Sequence, residues 1–205
     1  MKIKNIIFDL GGVILNLDQE KTLNAFKLLG ADLEAYNESL SIFKEYETGK
    51  IDSDMFKQAI YNELKGSVSH TQIETAWNSM LLDLPPQRVE LVQQIKTRYR
   101  LILLSNTNTM HMDAIYKVNG KEIFELLFEK IYLSHEIGLR KPDLDCYEFV
   151  LNDAGLLAAE TVFIDDSITN IKGAEAAGIK SILAREPLDT WIESELIKLE
   201  MKAEK

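Results

Sequence analysis

The sequence predicts an α/β fold, a parallel sheet layered between helices, with a small helical insertion after the first strand. Three observations carry that prediction. The runs IIF at Ile6–Phe8, LILL at Leu101–Leu104 and TVFI at Thr161–Ile164 are apolar without alternation, as in strands covered on both faces of a parallel sheet. Each leads into a segment with helical spacing, and strand–helix alternation of this kind demands right-handed crossovers between parallel neighbours. Leu17 to about Leu82 reads almost wholly as helix.

Taken in order, the first strand gives way to helical spacing at Leu23, Phe26, Lys27 and Leu29, closed by Gly30. A second helical pattern runs from about Leu33 to Phe43. Gly49 marks a turn, and Asp52 or Ser53 caps a third helix bearing Phe56, Ile60 and Leu64. A fourth spans about Thr71 to Met80, with Ile73, Trp77 and Met80 on one stripe that is read as core packing. Pro85 and Pro86 punctuate the return, and with Val13–Asp18 they are expected to form a two-stranded hinge. Helix Gln87–Thr97, the Leu101 strand and helix Thr109–Val118 follow, the last ending near Asn119–Gly120. A strand over Lys130–Leu133 precedes a helix marked by Leu144, Tyr147, Val150 and Leu151 and closed by Gly155. The Thr161 strand, a helix stopped at Gly178, a short strand at Ile179–Leu183 and a terminal helix opened by Pro187 complete the chain.

Composition sets outer limits. The 205 residues hold one domain of ordinary size plus a modest insertion. A net charge of −10 argues against nucleic acid or an anionic membrane as the main partner, while leaving room for an anionic substrate at a locally cationic site. The single cysteine, Cys146, cannot form an internal disulfide and reads as core filler in a reducing compartment. His70, His111 and His135 lack metal-site spacing, and no apolar run approaches membrane-spanning length, so a cytoplasmic protein is expected.

The chemistry is expected at the strand ends. The first strand stops at Asp9, followed by Gly11 and Gly12, which permit a sharp turn and close approach of backbone to a ligand. The second ends in Ser105 and Asn106, a hydroxyl and amides at a strand-to-helix junction, suited to an anion. The third ends in adjacent carboxylates, Asp165 and Asp166, which repel unless a cation or proton intervenes. Carboxylates at strand tips beside a phosphate site suit magnesium. Each stretch also has a plain structural reading: Asp9 as a turn residue, the acidic pair as a helix N-cap, and Lys141 before Pro142 as a solvated cation.

Together, Asp9 with its glycine turn, Ser105 in LSNTN, Lys141 in RKPD, and Asp165–Asp166 with Asn170 resemble, in order and position, the four motifs of the haloacid dehalogenase superfamily. The pieces FDLGGVI, LSNTN, RKPD and FIDDSITNIKGA are most similar to its small phosphatases. The resemblance covers most of residues 1–15 and 100–185. It implies a Rossmann-like three-layer core with strand order 5-4-1-2-3 over residues 1–15 and 88–205, and a helical cap over 16–87.

The resemblance further implies a magnesium-dependent phosphatase of small phosphorylated metabolites, sugar 1-phosphates among the candidates, working through an aspartyl-phosphate on Asp9. Magnesium would be held by Asp9, the carbonyl of Gly11 and Asp166, with Asp165 reached through water. Ser105, the amide of Asn106 and Lys141 would bind the phosphoryl oxygens, and Asn170 would orient Lys141 or the second carboxylate. Phosphatases of the superfamily usually carry an acid two residues after the nucleophile, where this chain has Gly11. Asp18 and Glu47 are the candidate replacements as proton donor. The alternatives are a 2-haloacid dehalogenase, against which the Asp165–Asp166 pair speaks, and a non-catalytic phosphometabolite-binding protein.

Overall fold

The structure, a computed structural model, describes residues 2–31, 41–185, 191–192, 194–196 and 198. Its centre is a parallel sheet of β1 (Asn5–Phe8), β2 (Arg100–Ser105), β3 (Lys130–Leu133), β4 (Thr161–Asp165) and β5 (Lys180–Leu183), in the order β3-β2-β1-β4-β5. This is the expected order, and the winding reverses at β1. Phe8 lies level with Leu103 of β2 and Ile164 of β4. The next row across the three strands is therefore Asp9, Leu104 and Asp165, at the carboxyl ends where ligands of such sheets bind.

Alternation along the strands divides the core. Ile6, Phe8, Leu101, Leu103, Val162 and Ile164 pack on one face against Leu91, Val92 and Ile95 of α5 (Pro86–Lys96) and against Ile192 and Leu196 near the C-terminus. Ile7, Ile102, Leu104 and Phe163 pack on the other face against α9 (Leu144–Ala154) and α10 (Ile168–Ala176).

A third cluster lies in the insertion, formed by α1 (Gln19–Leu28), α2 (Ser41–Glu47), α3 (Ser53–Glu63) and α4 (His70–Asn78). Phe26, Tyr46, Phe56, Ile60, Ile73 and Trp77 are among its buried side chains, joined by Met110 of α6 (Thr109–Asn119) from the core. Asp52 caps α3, its side chain accepting from the Met55 amide at 2.8 Å. Most of the helical pattern that starts at Leu33, and Pro187, lie outside the described residues.

Two expectations need correction. The hinge strand pairs with residues 80–83 rather than with the prolines: Asn16 donates to the Asp83 carbonyl at 2.9 Å and Asp18 to that of Met80 at 2.9 Å. A proline lacks the amide that a ladder requires, and Pro86 instead begins α5. Two short helices, α7 (Lys121–Leu127) and α8 (Ser134–Ile137), were also not anticipated. They are too short to display a period; α7 is held by complete burial of Phe124 and Leu127.

Candidate active site

One ammonium group joins the row at the strand ends. Lys141 Nζ donates to Asp9 Oδ1 at 2.7 Å, Asp165 Oδ2 at 2.7 Å and the Leu104 carbonyl at 2.9 Å, touching the same row on three adjacent strands. The side chain is 1 % exposed. All three of its protons are thus committed, and what it offers an incoming anion is charge more than a spare hydrogen bond. Burial acts to lower the pKa of Lys141, but the two carboxylates outweigh it and hold the group above its ordinary value. It remains an ammonium.

Asp9 is one of the partners that this ammonium stabilises. Burial pushes its pKa up to about 6, with Lys141 pulling down and Asp165 adding repulsion. Desolvation wins because the carboxylate is almost wholly withdrawn from water. Asp165 is the more fully bonded neighbour: Oδ1 accepts from the Ser167 amide at 2.8 Å, and Asn170 Nδ2 reaches both oxygens at 3.0 and 3.1 Å. Asn170 therefore contacts Asp165 itself. Lys141 is fixed from behind by Asn106, whose side chain donates to the Lys141 carbonyl at 2.8 Å and accepts from its amide at 2.9 Å.

Carboxylate oxygens of Asp9, Asp165 and Asp166 lie within 4.8 Å of one another. Against one ammonium this leaves excess negative charge, which suits a divalent cation. The backbone is shaped for the same purpose at Gly12, whose φ is +72° and whose missing Cβ would stand 2.3 Å from Asp166 Oδ2. Hard oxygen donors in this number fit magnesium, and Asp9, Asp165 and Asp166 are the carboxylates placed to hold it, Asp165 being bonded also to Lys141, Ser167 and Asn170.

A cavity of about 180 Å³ lies beside the ends of β1 and β2, lined among others by Glu47 and by Leu10, Gly11, Ser105 and Asn106, the residues that directly follow Asp9 and those at the end of β2. Ser105 ends β2 and is buried. Glu47, the last residue of α2, pairs with Arg140, its Oε2 accepting from Nη2 at 2.9 Å and Nε at 3.2 Å. Asp18 does not line the cavity; it precedes α1 without capping it through its side chain. The place that a side chain at position 11 would take is filled, since a Cβ on Gly11 would meet Leu17 Cδ1 at 2.3 Å.

Sequence reasoning passed over part of the cavity wall. Trp77, assigned to core packing, is indeed buried in the insertion but also lines the cavity, as does His111. Trp77 Nε1 donates to Asn108 Oδ1 at 3.2 Å, Asn108 Nδ2 lies 3.1 Å from His111 Nδ1, and His111 Nε2 lies 3.2 Å from the Trp77 carbonyl. Burial lowers the His111 pKa to about 4, so the ring is neutral at ordinary pH. The helix-capping pattern at Asn108 was the one sequence signal available for this circuit, and capping alone explains it.

Residues 3–178 match the family described as haloacid dehalogenase-like hydrolase. The chain belongs to the haloacid dehalogenase-like hydrolases. It is 30% identical over 188 residues to D-ribitol-5-phosphate phosphatase of Bacteroides thetaiotaomicron, covering 87% of this chain and 90% of that one. A haloacid dehalogenase family enzyme of the same organism, solved in complex with magnesium and inorganic phosphate, superposes with a TM-score of 0.85 at 37% identity, over 93% of this chain and 98% of that chain. A predicted hydrolase of this type from Porphyromonas gingivalis gives a TM-score of 0.87 at 28% identity, over 97% and 98% of the two chains. Within this haloacid dehalogenase-like hydrolase, no helix among the described residues is long and apolar enough to cross a membrane.

Proposed function

We propose that this hydrolase is a magnesium-dependent phosphatase of small phosphorylated metabolites, with Asp9 as nucleophile. The observation that carries the reading is the Lys141 ammonium shared by Asp9 and Asp165 at 2.7 Å each, beside the further carboxylate of Asp166. Such a site orients one carboxylate and keeps a second in place. The relative named for ribitol 5-phosphate and the magnesium–phosphate complex of a similar enzyme support the same reading.

Asp9 attacks phosphorus in line, the bond from phosphorus to the leaving oxygen breaks, and the resulting aspartyl-phosphate is hydrolysed by water. Lys141 holds the attacking carboxylate in position and supplies positive charge close to the phosphoryl oxygens. Ser105 and the Asn106 amide provide hydrogen-bond donors at the β2 end. Asn170 and the Ser167 amide keep Asp165 bonded, so that Lys141 stays between the two carboxylates. Magnesium, when bound by Asp9, Asp166 and the Gly11 carbonyl, offsets carboxylate repulsion and charge on the phosphoryl group. Helices α1–α4, within residues 16–87, act as the cap that closes the cavity over a core of 1–15 and 88–205.

The test is phosphate release from a panel of phosphorylated metabolites, with magnesium and with chelator, by wild type and Asp9→Asn. Turnover is expected only for wild type with metal, while circular dichroism shows the variant folded. Equal rates in chelator, phosphate release by Asp9→Asn, or halide release from a 2-haloacid would overturn the reading.

A further inference from the structure

The Glu47–Arg140 pair has no part in the phosphoryl-transfer scheme, yet it is firmly built. Arg140 adjoins Lys141, the residue pinned between Asp9 and Asp165, so its position is set by the catalytic row. Glu47 is placed from the opposite side. Its neighbour Tyr46 is buried in the insertion, and the Tyr46 hydroxyl lies 2.8 Å from Ser53 Oγ and accepts from the Met110 amide at 3.0 Å. Two residues further, Gly49 turns with φ +67° against the His135 carbonyl, where a Cβ would stand only 2.1 Å away. Both guanidinium bonds go to Glu47 Oε2. Oε1 has no partner among the described residues, and Glu47 lines the cavity with Gly11, Ser105 and Asn106.

Gln19 and Thr107 also present polar side chains to that cavity, but both are uncharged, and Glu47 is the one carboxylate among its lining residues. The Trp77 indole, the Asn108 amide and both His111 nitrogens bond one another. Leu15, Leu17, Met80, Leu81 and Ile115 supply apolar surface. An ionised carboxylate oxygen accepts hydroxyls and repels anions. The cavity of about 180 Å³ has room for a small carbon skeleton.

We propose that Glu47, held by Arg140, is the specificity-determining residue, selecting a neutral hydroxylated leaving group of polyol or sugar type and rejecting one that carries a second anionic group. This rests on the phosphatase reading above. In this role Arg140 is a positioning residue, since it acts by orienting Glu47.

The experiment measures kcat/KM for wild type and Glu47→Gln on a pentitol phosphate, pentyl phosphate and the 5-phosphate of the matching aldonic acid. The three share a primary alkyl leaving oxygen and differ in hydroxyls or in a remote carboxylate. One hydrogen bond to a charged acceptor corresponds to a preference of roughly ten- to hundredfold for the pentitol ester over the pentyl ester in wild type, seen mainly in KM. The aldonate ester should be disfavoured to a similar degree, and Glu47→Gln should raise the aldonate-to-pentitol ratio at least about tenfold, as removal of the repulsive charge requires. Because each ratio is taken within one preparation, partial unfolding of the variant does not alter it. Equal wild-type efficiency on the pentyl and pentitol esters, or ratios unchanged by Glu47→Gln, would overturn the assignment. So would a uniform loss on all three esters that vanishes with 4-nitrophenyl phosphate, since that is the signature of a proton donor. If wild type released phosphate from members of the metabolite panel but from none of these four esters, this assignment would fall and the phosphatase reading would stand; inactivity on the panel as well would overturn both.

Discussion

Replacing Lys141 by Ala removes one ammonium group and leaves two carboxylates facing each other in a nearly dry site. Breaking a buried ion pair from one side costs about 3–5 kcal/mol, because the remaining charge is uncompensated. Here the lost cation serves Asp9 and Asp165 at 2.7 Å each and is 1 % exposed, so the upper part of that range is expected. Lys121→Ala is the reference, since Lys121 and Glu125 are both more than half exposed at 3.3 Å and such pairs are worth about 0–1 kcal/mol. Urea unfolding of both variants at pH 8 and pH 5.5 provides the assay. Asp9 is already raised to about 6 with Lys141 present, and without that ammonium it binds a proton still more readily in the folded than in the unfolded chain. Stability of the variant relative to wild type should therefore recover on acidification and be lost as pH rises through the folded pKa. Magnesium should also narrow the deficit by binding the folded carboxylates. A deficit below about 1 kcal/mol, equal to that of Lys121→Ala and independent of pH, would refute the electrostatic account of this row.

The pH dependence of catalysis follows from the same carboxylate. With Asp9 raised to about 6 and active as the anion, kcat/KM at limiting magnesium should fall as pH drops through that value. Saturating metal should move the break to lower pH, and a flat profile would count against Asp9 as nucleophile. Gly12→Ala is expected to weaken magnesium binding markedly in titration calorimetry, because φ is +72° and the new Cβ would press on Asp166 Oδ2; unchanged affinity would remove Asp166 from the metal site. Gly11→Asp tests the missing acid. Combined with Leu17→Ala to clear the 2.3 Å overlap, it should favour alkyl over aryl phosphates within the about 10²–10⁴-fold typical of general acids, and an unchanged ratio, with magnesium affinity preserved, would show that a donor is already present.

Much of the core was legible because its signals are local. An apolar run that stops at Asp9, at Ser105 or at Asp165 declares both a buried strand and the polar group at its tip. Lys141 was harder, since its neighbours in sequence say nothing of Asp9, 132 positions away. Only the family resemblance gave it weight. The contacts that shape the cavity were out of reach for the same reason. Glu47 meets Arg140 across 93 positions, and Asn106 clasps Lys141 across 35. Leu17 occupies the space beside Gly11 through the path of the hinge strand, which residue types alone do not reveal. The helix α7 was missed because seven residues give too few turns for a period, and burial of Phe124 and Leu127 stabilises it from outside the segment.

The circuit of Trp77, Asn108 and His111 runs in a single direction. The Trp77 carbonyl can only accept, so His111 Nε2 carries the hydrogen, and Nδ1 is left to accept from the Asn108 amide, whose oxygen receives the Trp77 indole. Every donor in the loop meets an acceptor, and reversing any one of them would set two hydrogens against each other. These side chains spend their hydrogen-bonding capacity on one another. The imidazole that looks best suited by residue type to acid–base work is thereby committed to holding the cavity wall together.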